Sequence, residues 1–184
     1  MKRAGALCLF GLCLAAGRVP AQQPPAPTPS PAPAWRPFQE FAFLTGAWSG
    51  PAESSGRIGG CVIRFGTEAG GSYFVQRGGA VFTAEDARPE ETVEIVGYFA
   101  YDRVQRRYVA TYFFSTGVFG TYDAEIGGDG SVRLVSQQLS NYQPGAKARI
   151  VLGKKSDTQL SFSIEIAPDG TAFVPYLTSD LKKK

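Results

Sequence analysis

Five tyrosines, Tyr98, Tyr101, Tyr108, Tyr112 and Tyr122, crowd the middle of this 184-residue chain together with Phe113 and Phe114. Aromatic walls carrying a few hydroxyls line many small-molecule pockets, and they equally make up plain cores. Tyr98, Tyr112 and Tyr122 are the candidate ligand contacts, with Trp48 as a fourth of more structural character. A second chemistry lies in Glu94, Glu125 and Glu165, which fall inside alternating apolar runs, with Arg64 and Arg149 as available partners. A carboxylate turned inward is costly unless paired, and burial raises its pKa toward the range useful for acid–base work. If all five charges face solvent, as strand charges ordinarily do, that chemistry disappears.

Residue types close several other routes. The chain contains no histidine, which removes Ser-His-Asp and Cys-His nucleophiles, histidine acid–base work and the usual zinc ligand sets. Cys8 and Cys13 fall in a leader-like segment, so Cys61 stands alone in the remainder. One thiol builds neither a disulfide nor an iron–sulfur site within one chain. Between Gly60 and Val62-Ile63 it reads as a buried strand thiol rather than a nucleophile. Gly59-Gly60, Gly70-Gly71 and Gly78-Gly79 lack the Lys-Ser/Thr and the following helix of a phosphate loop. Asp129, within Gly127-Gly128-Asp129-Gly130, reads as a turn residue without the further carboxylates of a calcium site. No cofactor and no metal are expected.

Three segments set the context of these residues. Residues 1–21 read as a secretory signal: Lys2 and Arg3, an apolar run from Ala4 to Ala16, and small residues at Val19 and Ala21 before Gln22. That run is short of the ~20 residues that span a bilayer, so no stable membrane insertion is expected after cleavage. Periplasmic or secreted localisation follows. Residues 22–34 hold six prolines and no large apolar side chain, the composition of an extended, disordered spacer. Residues 35–184 form the folded domain. Without Lys2, Arg3 and Arg18 the 19 basic residues become 16, equal to the 16 acidic ones, so charge gives no argument for nucleic acid.

Within the domain, Phe38, Phe41 and Leu44 are spaced three apart after Pro37, which predicts a short N-terminal helix. Thereafter apolar and polar residues alternate in short runs. Val93, Ile95, Gly97, Phe99 and Tyr101 share one parity, and Leu160, Phe162, Ile164 and Ile166 share another. Asp102 to Arg106, Gly127 to Gly130 and Pro168-Asp169-Gly170 are turn signals, with a strand expected from Thr171 to Leu177. About ten strands joined by short loops predict an all-β, antiparallel up-and-down barrel. Closing it removes the unpaired edges and leaves an interior wide enough for side chains or one small ligand.

Phe43-Leu44-Thr45-Gly46-Ala47-Trp48-Ser49-Gly50 resembles the opening of calycin-type barrels. In lipocalins and fatty-acid-binding proteins that tryptophan packs across the closed end. Val96-Gly97-Tyr98-Phe99-Ala100-Tyr101-Asp102, followed by Arg107-Tyr108-Val109 and later by Ala167-Pro168-Asp169-Gly170-Thr171, is similar to exported bacterial lipocalin-like proteins of unknown function. The likeness covers roughly residues 38–181. Gly46-x-Trp48-x-Gly50 also resembles nitrobindin-type barrels, which hold haem iron through a late histidine that this chain lacks. The Gly46-x-Trp48 opening, the strand meander and the aromatic hairpins together lead to the expectation of a barrel that binds a small, largely apolar molecule. The alternatives are a histidine-independent isomerase or hydrolase using a strand carboxylate and tyrosines, and a protein-interaction module of the cell envelope.

Overall fold

The alternating runs form ten strands: β1 (Gly46–Ser54), β2 (Arg57–Glu68), β3 (Tyr73–Phe82), β4 (Glu91–Asp102), β5 (Arg107–Phe114), β6 (Phe119–Ile126), β7 (Val132–Ser140), β8 (Lys147–Ser156), β9 (Gln159–Ala167) and β10 (Val174–Lys183). The computed structural model describes residues 37–85 and 88–184. The signal expected over residues 1–21 and the spacer over 22–34 lie outside the described residues. Every strand pairs antiparallel with its sequence neighbours and β1 pairs with β10, so the meander closes into one barrel, as expected.

Closure sends one parity of each strand inward. Cys61, Ile63 and Phe65 of β2, Val93, Ile95 and Phe99 of β4, and Leu160, Phe162 and Ile164 of β9 are all buried. Three register shifts interrupt the ladders: one in the β8–β9 pair, between Lys154 and Ser156, and two that bear on the site. Of these two, one falls opposite Thr121/Tyr122, in the β6–β7 pair, and the other between Pro175 and Leu177 in β10. Such shifts turn the next side chain to the other face. The last strand begins at Val174 rather than Thr171. Asp169 Oδ1 accepts the backbone N–H groups of Thr171 at 2.9 Å and Ala172 at 3.2 Å, which holds the turn open two residues longer.

The short N-terminal helix is present and is of the 3-10 kind. It spans Gln39–Leu44, with Phe41 N–H on Phe38 O and Thr45 N–H on Ala42 O, both 3.1 Å. Three residues per turn stacks Phe38, Phe41 and Leu44 in one line. All three are buried in the core. Phe41 meets Phe99 at 5.4 Å and Tyr108 at 4.9 Å between ring centroids, so the helix closes one end of the barrel.

Trp48 lies at that closed end. Its Nε1–H donates to Leu44 O at 2.6 Å, and Lys183 Nζ sits 5.3 Å from its ring centroid. The indole therefore ties the plug to β1. Trp48→Phe leaves the buried Leu44 carbonyl without its donor, and a loss of about 1–3 kcal/mol is expected. Urea unfolding measures it, and an unchanged midpoint would show that the bond contributes nothing.

Candidate functional site

At the opposite end the barrel interior holds a cavity of about 160 Å3. Its wall is apolar: Val93 of β4, Phe114 of β5, Leu139 of β7, Ala148 of β8 and Ile164 and Ile166 of β9. Tyr122 lines its inner side, while Tyr142 and Tyr176 contribute from a loop and from β10. The mouth exists because the β7–β8 ladder stops early. Backbone pairing ends at Val135↔Arg149, and beyond it the Ala148 N–H donates to Ser136 Oγ at 2.9 Å instead. Tyr176 reaches the cavity through the register shift in β10, and Leu139 through the one in β7.

Inside the barrel an aromatic column connects the plug to this cavity. Phe41, Phe99, Tyr112 and Tyr122 follow one another at centroid distances of 5.4, 5.8 and 5.4 Å. Gly97 positions Tyr112, because the two residues are directly opposite in the β4–β5 pair. A methyl group added at Gly97 would stand 2.5 Å from Tyr112 Cζ, so the tyrosine ring occupies the space that a side chain there would need. The ring thus lies across β4 and reaches Gln76, which faces Gly97 from β3. Tyr112 O–H donates to Gln76 Oε1 at 2.7 Å.

The polar atoms of this interior are incompletely satisfied. Tyr122 is 0% exposed, and its hydroxyl finds no hydrogen-bond partner among the described residues. The Nε2 of fully buried Gln76 is likewise unpartnered there. Burial pushes the Tyr112 and Tyr122 phenols well above their ordinary pKa, so both remain donors across the physiological range. Cys61 is also inside, its thiol pushed up to about 11 by burial and partly drawn back by Ser179, so it is not poised as a nucleophile.

The candidate residues divide. Tyr112 and Tyr122 come together in the interior. Tyr98 does not join them: it has the outward parity of β4, and its hydroxyl accepts from Arg77 Nη2 at 2.9 Å on the outer wall. Trp48 belongs to the closed end, away from the cavity. Glu94, Glu125 and Arg64 are exposed. Glu165 is paired with Arg149, whose Nε donates to it at 2.7 Å and whose guanidinium lies 4.3 Å from the Phe173 ring centroid. None of these three carboxylates lines the cavity. Asp129 caps its own turn by accepting from Ser131, as a turn residue would.

Gln76 is the main interior residue that the sequence reading missed. Its parity matches Phe74, Ala80 and Phe82, and that inward periodicity was the available signal. Arg57 is also buried, its guanidinium held by Glu91 and by the carbonyls of Phe82, Thr83 and Pro89. A wider depression of about 440 Å3 lies on the outer wall, where Gly60, Gly78 and Gly79 leave a shallow trough beside Val62 and Val81. It is more open to solvent than the cavity at the barrel end.

Fold and site together define an all-β, ten-stranded closed barrel whose interior is compatible with ligand binding. No family model matches the chain, and no curated protein matches it. Among solved structures it is similar to the crystal structure of Rv2717c from M. tuberculosis, with a TM-score of 0.56 and 14% identity over 80% of this chain and 97% of that one. At that identity the likeness shows the fold alone.

Proposed function

We propose that the protein is an exported, lipocalin-like barrel that binds one small, largely apolar molecule in its interior. The observation that carries this reading is the apolar cavity of about 160 Å3 at the open end. A cavity of about 150 Å3 lined by aliphatic and aromatic side chains accepts a molecule the size of benzene. Burial of such a guest removes apolar surface from water on both partners at about 25 cal/mol per Å2. Export rests on the expectation for residues 1–21. Tyr112 and Tyr122 are retained as site residues, with Tyr112 acting through its neighbours rather than in the cavity wall.

Crystals of the protein pressurised with xenon test the reading. One xenon site is expected among Val93, Tyr122 and Ile164, and filling the space by Ile164→Trp should abolish it. Absence of xenon from the interior of the unaltered protein would overturn the proposal.

A further inference from the structure

We infer that the ligand is a neutral molecule carrying one hydrogen-bond acceptor, such as a ketone or an ester, which takes the O–H of Tyr122. The inference rests on the cavity being a ligand site and goes further, to the chemistry of the ligand. A wholly hydrocarbon guest would leave Tyr122 buried with its donor unmet, a cost that an acceptor removes. Tyr122 lines the cavity, is completely buried and has no partner among the described residues.

Charge at the site selects against ions. No charged side chain is among those lining the cavity. Arg57 does not line the cavity, and its Nη1 and Nη2 are engaged by Glu91 and three carbonyls, although its buried Nε has no partner among the described residues. Glu91 is near enough to Tyr176, at the cavity, to help burial in raising that phenol's pKa. A carboxylate entering here would be buried without a counter-ion and would approach an existing negative charge. An ammonium group would find no ionised partner in the wall. Neutral polarity of the carbonyl kind meets the donor without that penalty.

Acetophenone and α-methylstyrene have nearly the same shape and differ in the carbonyl oxygen, while benzoate adds a negative charge. Binding of all three to the unaltered protein, followed by calorimetry or by amide NMR shifts near neutral pH, tests the inference. Acetophenone is expected to bind about fivefold tighter than α-methylstyrene, the range that one net hydrogen bond supplies. Benzoate should bind at least about tenfold more weakly than acetophenone. Tyr122→Phe has no protein partner to lose, so it should fold normally and bring the two neutral compounds to within about twofold. Equal binding of the two by the unaltered protein overturns the acceptor, while leaving the cavity as a ligand site. Discrimination that persists in Tyr122→Phe overturns the assignment to this hydroxyl, and tighter binding of benzoate overturns neutrality. If none of the three compounds binds, the ligand site itself falls, and this inference with it.

Discussion

Above about pH 9 the barrel is expected to lose stability steeply, reaching its unfolding midpoint before the buried phenols titrate in the native state. Cys61 carries part of this effect, its pKa raised from 9.0 to about 11 by desolvation. Tyr108 is raised to about 12, first by burial and then by Glu40, and Tyr112, Tyr122 and Tyr176 are also raised, with burial the leading cause in each. These groups are neutral acids that the fold keeps protonated. In the unfolded chain the thiol releases its proton near 9 and the phenols near 10, whereas the folded chain still binds them. The native state then holds more protons than the unfolded state, so stability falls as pH rises. Their contribution is fully present below about pH 9 and is lost as the pH climbs through each group's folded-state value, about 11 for Cys61, about 12 for Tyr108 and higher for Tyr112 and Tyr122.

The magnitude decides whether this matters. Cys61 is 1% exposed, and its shift alone is worth about 2–3 kcal/mol by pH 11. Each fully buried phenol adds up to about 1.4 kcal/mol for every pH unit above 10. Against a total stability on the order of 5–15 kcal/mol, three such groups are enough to unfold a domain of this size. Urea midpoints measured at about pH 8, 10 and 11 test the slope, and tyrosinate absorbance tests the mechanism. The phenols should ionise together with loss of structure, and Cys61→Ala and Tyr122→Phe should each flatten the decline. A midpoint that stays level from about pH 9 to 11 would mean that these side chains reach water more freely than their burial indicates.

The barrel was legible because its signal is local. Leu160, Phe162, Ile164 and Ile166 alternate with polar residues, and the short loops between such runs leave antiparallel pairing as the simple solution. The three-residue spacing of Phe38, Phe41 and Leu44 also carried information, but it marks a 3-10 helix more closely than an α-helix. The cavity was not legible, and the reasons are physical. Its wall draws residues from β4 through β10, which closure alone brings together. Tyr176 and Leu139 reach it through register shifts that simple alternation does not foresee. Tyr98 and Tyr112 looked alike as tyrosines in adjacent strands, yet parity separates them. Val93, Ile95 and Phe99 point inward, so Tyr98 points out. Gly97 obscured that pattern, since an inward position without a side chain reads as a gap.

That gap is the basis of the second large effect expected, in Gly97→Ala. In an ordinary strand, alanine in place of glycine is favoured by about 0.5–1 kcal/mol, because the unfolded chain has less freedom to lose. Here the new Cβ would meet Cζ, Cε1 and Cε2 of Tyr112 at 2.5 to 2.9 Å. Tyr112 is 0% exposed and has no open side to which its ring can swing. Displacing the ring also breaks its bond to Gln76, whose Oε1 accepts the Tyr112 hydroxyl at 2.7 Å, and leaves that amide without any partner among the described residues. Overpacking and an orphaned amide together predict a loss of about 2–5 kcal/mol. The sign should reverse in the Tyr112→Leu background, where no ring crosses Gly97 and alanine becomes neutral or stabilising. A double-mutant cycle on chemical unfolding measures that coupling, which should exceed about 1 kcal/mol for residues in direct contact. Because Tyr122 stacks edge-on to Tyr112 at 5.4 Å, the same substitution should also weaken guest binding in the cavity, whereas a remote loss of stability would leave it unchanged. Equal costs of Gly97→Ala in both backgrounds would show that the ring does not depend on the glycine, and the positioning role assigned to it would have to be given up.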